Sequence, residues 1–443
     1  MEHSRSRVLA GALAALASLV SMNVWAQAPE TYVIPDWLTP VWTWKDGYSA
    51  DETLKFRRAY KDHTLTEGAD DGAYAITHLN EVLPTAIVHR DGPVSELSYA
   101  QMPEIADVTA TTDLGTMTLR QMLDDERSRL RAIAVIHEGK IVFEEYVGIR
   151  QWDNHIWASA AKSLVGLISY QLEKEGLLDL SRPVAYYLPD FKDTAWADVP
   201  VDDVLHQRSG IDAREASLGD PDNPITLFYG IFAGASVVPE GMGFRDAMKR
   251  VKTLGTPGKV FEYSSMNTMM MIFIAEELTS KPFHDLLTER LWSKLGMEGD
   301  AILGLSASGE PSAFGIYASR LRDLARYALV YTPSWNAVAK EPIIGNDYLS
   351  KVYEAAKGVT FAGTYEGNLG DRMIKAFGDI DMGASYQWDT VFPDGDIYKS
   401  GRGGQCIYVS PETDTVVVYF SASYQSSIWV HAYAREIVKQ MFR

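Results

Sequence analysis

Ser159 and Lys162 are the residues whose types and spacing point most directly to chemistry, and they stand at the start of a long apolar run. On a helix, positions i and i+3 share a face, so the hydroxyl and the amine would come within contact range. A hydroxyl beside an amine able to take its proton is the smallest unit for acyl transfer. About one such S-x-x-K is expected by chance in a chain of this composition, so the pair needs support from other elements.

The residues after this pair predict a buried helix. Apolar side chains recur at helical spacing, and Gly176 is a plausible stop; they are Leu164, Val165, Ile168 and Leu172. The free N–H groups of the first helical turn would place partial positive charge near the serine hydroxyl. An ordinary lysine has a pKa of about 10.4 and is protonated at neutral pH, so it acts as a base only where burial or positive charge lowers that pKa.

Strand patterns occur towards both ends of the chain, and helical patterns lie between them. Two β-rich runs within 132–146 flank Glu138-Gly139 and predict a hairpin, and residues 397–400, 406–409 and 415–420 predict three more strands. Helices are predicted at 201–206, 266–278, 320–331 and 427–441, and the loop-rich stretch 212–258 could form a mobile wall over a cleft. The predicted fold class is α+β: an antiparallel sheet from both chain ends, flanked by helices, with a large inserted all-helical region at about 190–375.

The first 26 residues predict a cleaved secretory signal peptide. Arg5 and Arg7 precede an apolar run too short to span a bilayer, and cleavage is expected after Ala26. The whole chain of 443 residues has a net charge of −18, and the leader carries +1, so the mature chain would carry −19. This acidic balance disfavours nucleic acid and anionic membranes as partners. The cleaved leader predicts a periplasmic or secreted protein without a stable membrane anchor.

Residues 27–120 predict an N-terminal extension packed on a domain formed by residues 121–443. Its Trp37, Trp42 and Trp44 could line a ligand groove, although packing is the more common role of tryptophan. Cys406 is the single cysteine, so no internal disulfide can form, and its apolar surroundings predict a buried thiol. The histidines show no metal-binding spacing, and no metal or cofactor is predicted.

Three motifs occur in a characteristic order: Ser159-Ala160-Ala161-Lys162, Tyr263-Ser264-Ser265 and Lys399-Ser400-Gly401. Connecting motifs accompany them, including Y-L-P-D at 187–190, L-H-Q-R-S-G at 205–210 and G-R-G-G-Q at 401–405. Over roughly residues 80–443 the chain resembles the serine β-lactamase and penicillin-recognising superfamily. Within it, the chain is most similar to the class C-like branch that contains family VIII esterases and 6-aminohexanoate-dimer hydrolases.

The resemblance implies a β-lactamase/transpeptidase-like fold and an acyl-enzyme on Ser159. Lys162 and Tyr263 would be the proton acceptors, and which of them is the general base stays open. The backbone N–H groups of Ser159 and Arg402 would form the oxyanion hole, with Lys399, Ser400 and Gly401 as the third motif. Loss of one oxyanion donor typically raises a barrier by about 3 kcal/mol.

The substrate is a small ester or amide on this interpretation, and three aromatic residues are candidates for its pocket: Trp157, Tyr386 and Trp388. Packing is an equally good explanation for them. Ser265 stands where class C β-lactamases commonly have asparagine, which favours an ester or linear amide over a β-lactam. The alternatives are a β-lactamase or D-alanyl-D-alanine carboxypeptidase, and a non-catalytic binding protein of the same fold. A lipase-type fold is disfavoured because the chain has no G-x-S-x-G.

Overall fold

The structure, a computed structural model, describes residues 34–443 except 62–63, 221, 234, 236–237, 359–372, 375, 379–380 and 425–429. The predicted signal peptide at 1–26 lies outside the described residues. The strands are β1 Thr85–Val88, β2 Thr109–Thr112, β3 Gly115–Thr118, β4 Leu130–His137, β5 Lys140–Tyr146, β6 His155–Ile156, β7 Ala301–Gly304, β8 Tyr317–Ser319, β9 Gly383–Ser385, β10 Trp388–Val391, β11 Ile397–Gly401, β12 Gln405–Ser410 and β13 Thr415–Ser421.

The described α-helices are shorter and more numerous than the sequence pattern suggested. They are α1 Ala50–Ala59, α2 Thr64–Glu67, α3 Asp70–Ala75, α4 Leu79–Val82, α5 Leu119–Asp124, α6 Lys162–Lys174, α7 Val184–Tyr187, α8 Val201–Leu205, α9 Pro224–Ala233, α10 Phe244–Met248, α11 Ser265–Thr279, α12 Phe283–Arg290, α13 Leu321–Leu329, α14 Tyr348–Ala356 and α15 His431–Met441. Among the described residues, no helix has the length and apolarity needed to cross a membrane.

Seven antiparallel strands form the main sheet, in the order β5-β4-β13-β12-β11-β10-β9. This confirms the prediction of an antiparallel sheet built from both chain ends. The β4–β5 hairpin turns at Glu138 and Gly139, whose φ angles of 48° and 71° match the two-residue turn that suits the strand twist. The predicted strands at 397–400, 406–409 and 415–420 fall within β11, β12 and β13.

Helices cover both faces of this sheet. Alternate residues of β4 belong to two separate cores: Ala134 and Ile136 pack in the core that includes α13, while Ile133 and Val135 pack in the core that includes α15. Because both faces are buried, β4 is apolar along nearly its whole length. The first residues of the predicted closing helix, 427–429, lie outside the described residues.

A second, four-stranded sheet has the order β1-β7-β8-β6. Its strands β7 and β8 lie within the region predicted to be all-helical, so that insert also contains two short strands. Segments of three or four residues are too short to show the alternation by which a strand is recognised in a sequence. The sheet is important for the site because β6 leads directly into the turn that carries Ser159.

Candidate active site

Ser159 lies in a 3₁₀ turn, Ala158–Ala161, that continues directly into α6. Ala158 has a φ angle of +47°, a conformation that costs energy for a residue other than glycine and that often occurs next to a functional group. The preceding residue, Trp157, donates its backbone N–H to the Tyr317 carbonyl at 2.7 Å, which fixes the turn to β8. The hydroxyl of Ser159 therefore projects from a strained turn held between a strand and a helix.

Lys162 is the first residue of α6, and its side chain is 1% exposed. Its Nζ lies 3.3 Å from Ser159 Oγ, 3.0 Å from Ser265 Oγ and 2.6 Å from the Phe314 carbonyl oxygen. Burial lowers the pKa of this amine to about 7, because the charged form loses its hydration, and the nearby Lys399 charge acts in the same direction. About half of the amine is therefore neutral at pH 7 and able to accept a proton.

Ser265 connects Lys162 to two residues that the sequence motifs did not reveal. Its Oγ is 2.9 Å from the Tyr229 hydroxyl, and its backbone N–H donates to Glu215 Oε1 at 2.7 Å. Burial raises the pKa of Tyr229 well above its usual value, so the phenol stays protonated and can donate. The negative charge of Glu215 in turn raises the pKa of Lys162, which partly offsets the effect of burial.

Tyr229 and Glu215 both come from the loop-rich stretch 212–258 that was predicted to form a wall of a cleft. They lie in α9 and in a short 3₁₀ turn at Glu215–Ser217. Tyr229 and Glu215 do not belong to a motif with a fixed spacing to Ser159. The sequence indicated a role for them only through the position of this stretch between the first two motifs.

Tyr263 lies between the two lysines of the motifs. Its ring centroid is 5.1 Å from Lys162 Nζ and 5.0 Å from Lys399 Nζ, and the residue lines the cleft that contains Ser159. Both distances are in the range of a cation–π contact. The structure thus brings Ser159, Lys162, Tyr263 and Lys399 together from three distant parts of the chain.

Lys399 is 1% exposed and forms a buried ion pair with Asp389 of β10. Asp389 also accepts hydrogen bonds from Ser400 through its Oδ2, at 2.9 Å from the backbone nitrogen and 2.6 Å from Oγ. Burial lowers the pKa of Lys399, while the Asp389 carboxylate opposes that shift. The Asp389 carboxylate therefore fixes both Lys399 and Ser400 of the third motif. Sequence reasoning missed Asp389 because the motif itself does not specify the residue that pairs with it.

Gly401 allows the end of β11 to reach the nucleophile turn. A Cβ at this position would lie 2.2 Å from the Trp157 carbonyl oxygen, which is far too close for any other residue without movement of the backbone. The next residue, Arg402, lines the cleft together with Ser159. The role of the Ser159 and Arg402 N–H groups as oxyanion donors stays a prediction.

The cleft around Ser159 has a volume of about 890 Å³, including space open to solvent. Its lining is largely apolar and includes Leu65, Ile156, Leu218, Phe232, Phe314 and Ile316. An apolar lining with a few polar groups at one point is typical of a small-molecule site. Within the described part of the chain, no group of three or more His, Cys, Asp or Glu residues is placed to hold a metal ion.

The three aromatic candidates for the substrate pocket lie outside the cleft lining. Trp157, Tyr386 and Trp388 are each at most 2% exposed. The Trp157 indole donates to Ser319 Oγ at 2.9 Å, and the Trp388 indole donates to the Tyr348 hydroxyl at 3.0 Å. They are core residues, because aromatic rings with buried polar partners stabilise packing and present no surface to a ligand.

The tryptophans of the N-terminal extension also lie outside the cleft lining. Trp44 is buried in the core, whereas Trp37 and Trp42 are 60% and 41% exposed. Cys406 is buried, as its apolar surroundings predicted, and burial raises the pKa of its thiol.

Comparison with known proteins identifies a family and several similar proteins. The family model described as Beta-lactamase matches residues 118–435. The 6-aminohexanoate-dimer hydrolase of Paenarthrobacter ureafaciens is 27% identical over 357 residues, which are 80% of this chain and 86% of the relative. Among solved structures, a putative 6-aminohexanoate-dimer hydrolase from Bacillus anthracis has a TM-score of 0.69 at 21% identity, covering 84% of this chain and 94% of its own. EstA from Arthrobacter nitroguajacolicus Rue61a has a TM-score of 0.53 at 13% identity, and the match covers 73% of this chain and 95% of EstA.

Proposed function

This chain belongs to the Beta-lactamase family and is a serine hydrolase, and from that premise we propose that it cleaves a small, largely apolar ester or linear amide through an acyl-enzyme on Ser159. The observation that carries the proposal is the 3.3 Å contact between Ser159 Oγ and Lys162 Nζ, with the lysine pKa lowered to about 7. A nucleophile within reach of a base that is half neutral at pH 7 is what acyl transfer requires.

The first step of the proposed reaction is acylation. Neutral Lys162 accepts the hydroxyl proton of Ser159 as the serine oxygen forms a bond to the acyl carbon. The carbonyl oxygen becomes an oxyanion, and the backbone N–H groups of Ser159 and Arg402 stabilise it. The short contacts of Lys162 support this assignment: two N–H groups donate to Ser265 and to the Phe314 carbonyl, which leaves the lone pair for Ser159.

The second half of the reaction releases the two products. The bond from the acyl carbon to the leaving group breaks, and the leaving alcohol or amine takes a proton from Lys162 directly or through Tyr263, whose ring lies beside both lysines. A water molecule then attacks the acyl carbon and gives its proton to the same base. The Ser159 oxygen leaves with a proton, and the products are a carboxylic acid and an alcohol or amine.

The pairing of Lys399 and the apolar cleft lining both support an ester or linear amide over a β-lactam that carries a carboxylate. Lys399 is buried and paired with Asp389, so its charge is compensated inside the protein. The largely apolar lining favours substrates with hydrocarbon on at least one side of the scissile bond. The Paenarthrobacter relative is named for the 6-aminohexanoate dimer, a linear amide, and this chain would act on an amide or ester of comparable size.

The test is covalent labelling combined with a substrate panel. A fluorophosphonate should label Ser159 in the wild-type protein and fail to label Ser159→Ala, as located by mass spectrometry. Short p-nitrophenyl esters and linear amides should be hydrolysed faster than nitrocefin. Folded protein without a label at Ser159 would favour the non-catalytic alternative, whereas faster nitrocefin hydrolysis would favour a β-lactamase or peptidase.

We also propose that the protein is exported, with cleavage after Ala26. The arginines and the apolar run of the leader support this proposal. Expression of the full chain in a Gram-negative host, followed by N-terminal sequencing of the periplasmic fraction, tests it. A mature protein that begins at Gln27 is expected, and an uncleaved cytoplasmic product would contradict the proposal.

A further inference from the structure

The N-terminal extension, which precedes the part of the chain matched by the family model, contributes to the active-site cleft. Leu65 of α2, Gly68 and Ile76 line the cleft that contains Ser159. The same cleft is lined by Leu218, Phe232 and other apolar residues supplied by the helical insert. One part of the lining therefore comes from a segment that lies more than eighty residues before the nucleophile in sequence.

Buried arginines at the start of β4 anchor this segment. Arg131 is fully buried and donates to the Ala73 carbonyl at 2.6 Å and to the Tyr48 hydroxyl at 3.2 Å. Arg129, 1% exposed, donates to the Thr39 carbonyl at 3.1 Å. Charge-assisted hydrogen bonds made in a buried setting are strong, so the segment is held in one position against the sheet.

The segment is also bonded to the strand that leads into the nucleophile. The Ile156 backbone N–H donates to the Ile76 carbonyl at 2.9 Å, and Ile156 is three residues before Ser159. Both isoleucines line the cleft. This hydrogen bond therefore fixes the position of the cleft-lining segment 65–76 relative to the strand that carries the chain to Ser159.

Gly68 lies in close contact with the backbone just after the end of β13. Its φ angle is +71°, and a Cβ would lie 2.4 Å from the Ser423 carbonyl oxygen and 2.9 Å from the Tyr424 Cα. Only glycine fits this backbone contact. Leu65 is three residues earlier and is half-buried, so its side chain retains surface that faces the cleft.

We propose that the N-terminal extension is a specificity element, and that Leu65 limits the length of the apolar chain that the cleft accepts on one side of the scissile bond. The inference rests on the proposed hydrolase function. A methylene placed in an apolar pocket is worth roughly a tenfold to two-hundredfold change in kcat/KM, so changes at one lining residue are measurable as changes in chain-length preference.

The experiment measures kcat/KM for two ester series, one varied in the acyl chain from acetyl to octanoyl and one varied in the alcohol chain. Leu65→Trp should lower kcat/KM for the longest member by about tenfold or more relative to the shortest, in one of the two series. Leu65→Ala should shift the same series in the direction of longer chains. Leu54→Trp is the matched control, because Leu54 is a 47% exposed leucine of the same extension outside the cleft lining.

Thermal melting establishes that each variant is folded, and Leu65→Ala carries the test alone if the tryptophan variant does not fold. Chain-length profiles that stay parallel to wild type in both series, or an equal change in Leu54→Trp, would overturn the inference. Absence of ester hydrolysis and of Ser159 labelling in the wild-type protein would count against the proposed function. The two failures are therefore distinguishable.

Discussion

The pH dependence of acylation follows from the pKa of Lys162. With a pKa of about 7, the neutral fraction of the amine is about one-tenth at pH 6, one-half at pH 7 and nine-tenths at pH 8. At its ordinary pKa of 10.5, the neutral fraction at pH 7 would be about 0.03%, so burial increases the reactive form by roughly 1,500-fold. We therefore expect kcat/KM to rise with pH through an apparent pKa of about 7 and to level off above pH 8.

Glu215→Gln tests the physical origin of this value. The amide keeps an oxygen that can accept from the Ser265 backbone N–H, but it removes a negative charge that raises the pKa of Lys162. The pKa of Lys162 should therefore fall, by about one unit, and the acidic limb should move to lower pH. At pH 6 the variant would reach about half of its own plateau, whereas the wild type reaches about one-tenth of its plateau.

The assay is hydrolysis of a p-nitrophenyl ester between pH 5 and 9, followed at a wavelength where product absorbance is independent of pH. Glu412→Gln is the matched control, because the side chain of Glu412 is 75% exposed and lies outside the cleft lining. A limb that moves to higher pH in Glu215→Gln, or that does not move, would refute the electrostatic argument. Wild-type activity that is still rising at pH 9 would show that the base does not have a pKa lowered to about 7.

Three further substitutions test the supports of the site. Ser265→Ala removes the hydroxyl 3.0 Å from Lys162 Nζ and should lower kcat about tenfold to a hundredfold with little change in KM; an unchanged kcat would contradict the role given to Ser265. Gly401→Ala introduces a Cβ 2.2 Å from the Trp157 carbonyl oxygen and should lower kcat by about a hundredfold or more, with a lower melting temperature; normal turnover would show that the turn can move. Asp389→Asn breaks a buried ion pair and should cost about 3–5 kcal/mol in urea unfolding, compared with about 0.5 kcal/mol or less for a surface Asp→Asn control.

Sequence reasoning was strongest where a pattern extends over many residues. Five strands of the main sheet, including the hairpin at Glu138-Gly139, were predicted mainly from runs rich in β-forming residues, and the helix after Lys162 was predicted from helical spacing. The motifs around Ser159, Tyr263 and Lys399 were identified by their order in the chain, and the structure brings these three residues to one site. Short strands were missed, among them β7 to β10, because segments of three or four residues show no period.

The residues missed at the site have a different cause. Tyr229, Glu215 and Asp389 act through single hydrogen bonds or ion pairs, and the partner of such a bond can lie at any distance along the chain. The prediction that aromatic residues near the motifs line the pocket was wrong. Trp157 and Trp388 lie close to the motifs in sequence, but their side chains are buried in the core. Composition cannot separate an aromatic residue that lines a cleft from one that fills a core.

The two lysines of the site are both 1% exposed, and burial of two uncompensated ammonium groups would be prohibitively costly. The structure resolves this in two different ways. Lys399 is paired directly with Asp389, whose carboxylate fixes its position and opposes the lowering of its pKa by burial. Lys162 has Glu215 nearby as a weaker influence and makes its close contacts with hydroxyl and carbonyl oxygens, so its pKa falls to about 7 and it can lose its proton. The direct ion pair with Asp389 favours the charged form of Lys399, whereas Lys162 has no such direct partner among its close contacts in the described part of the chain and can act as a base.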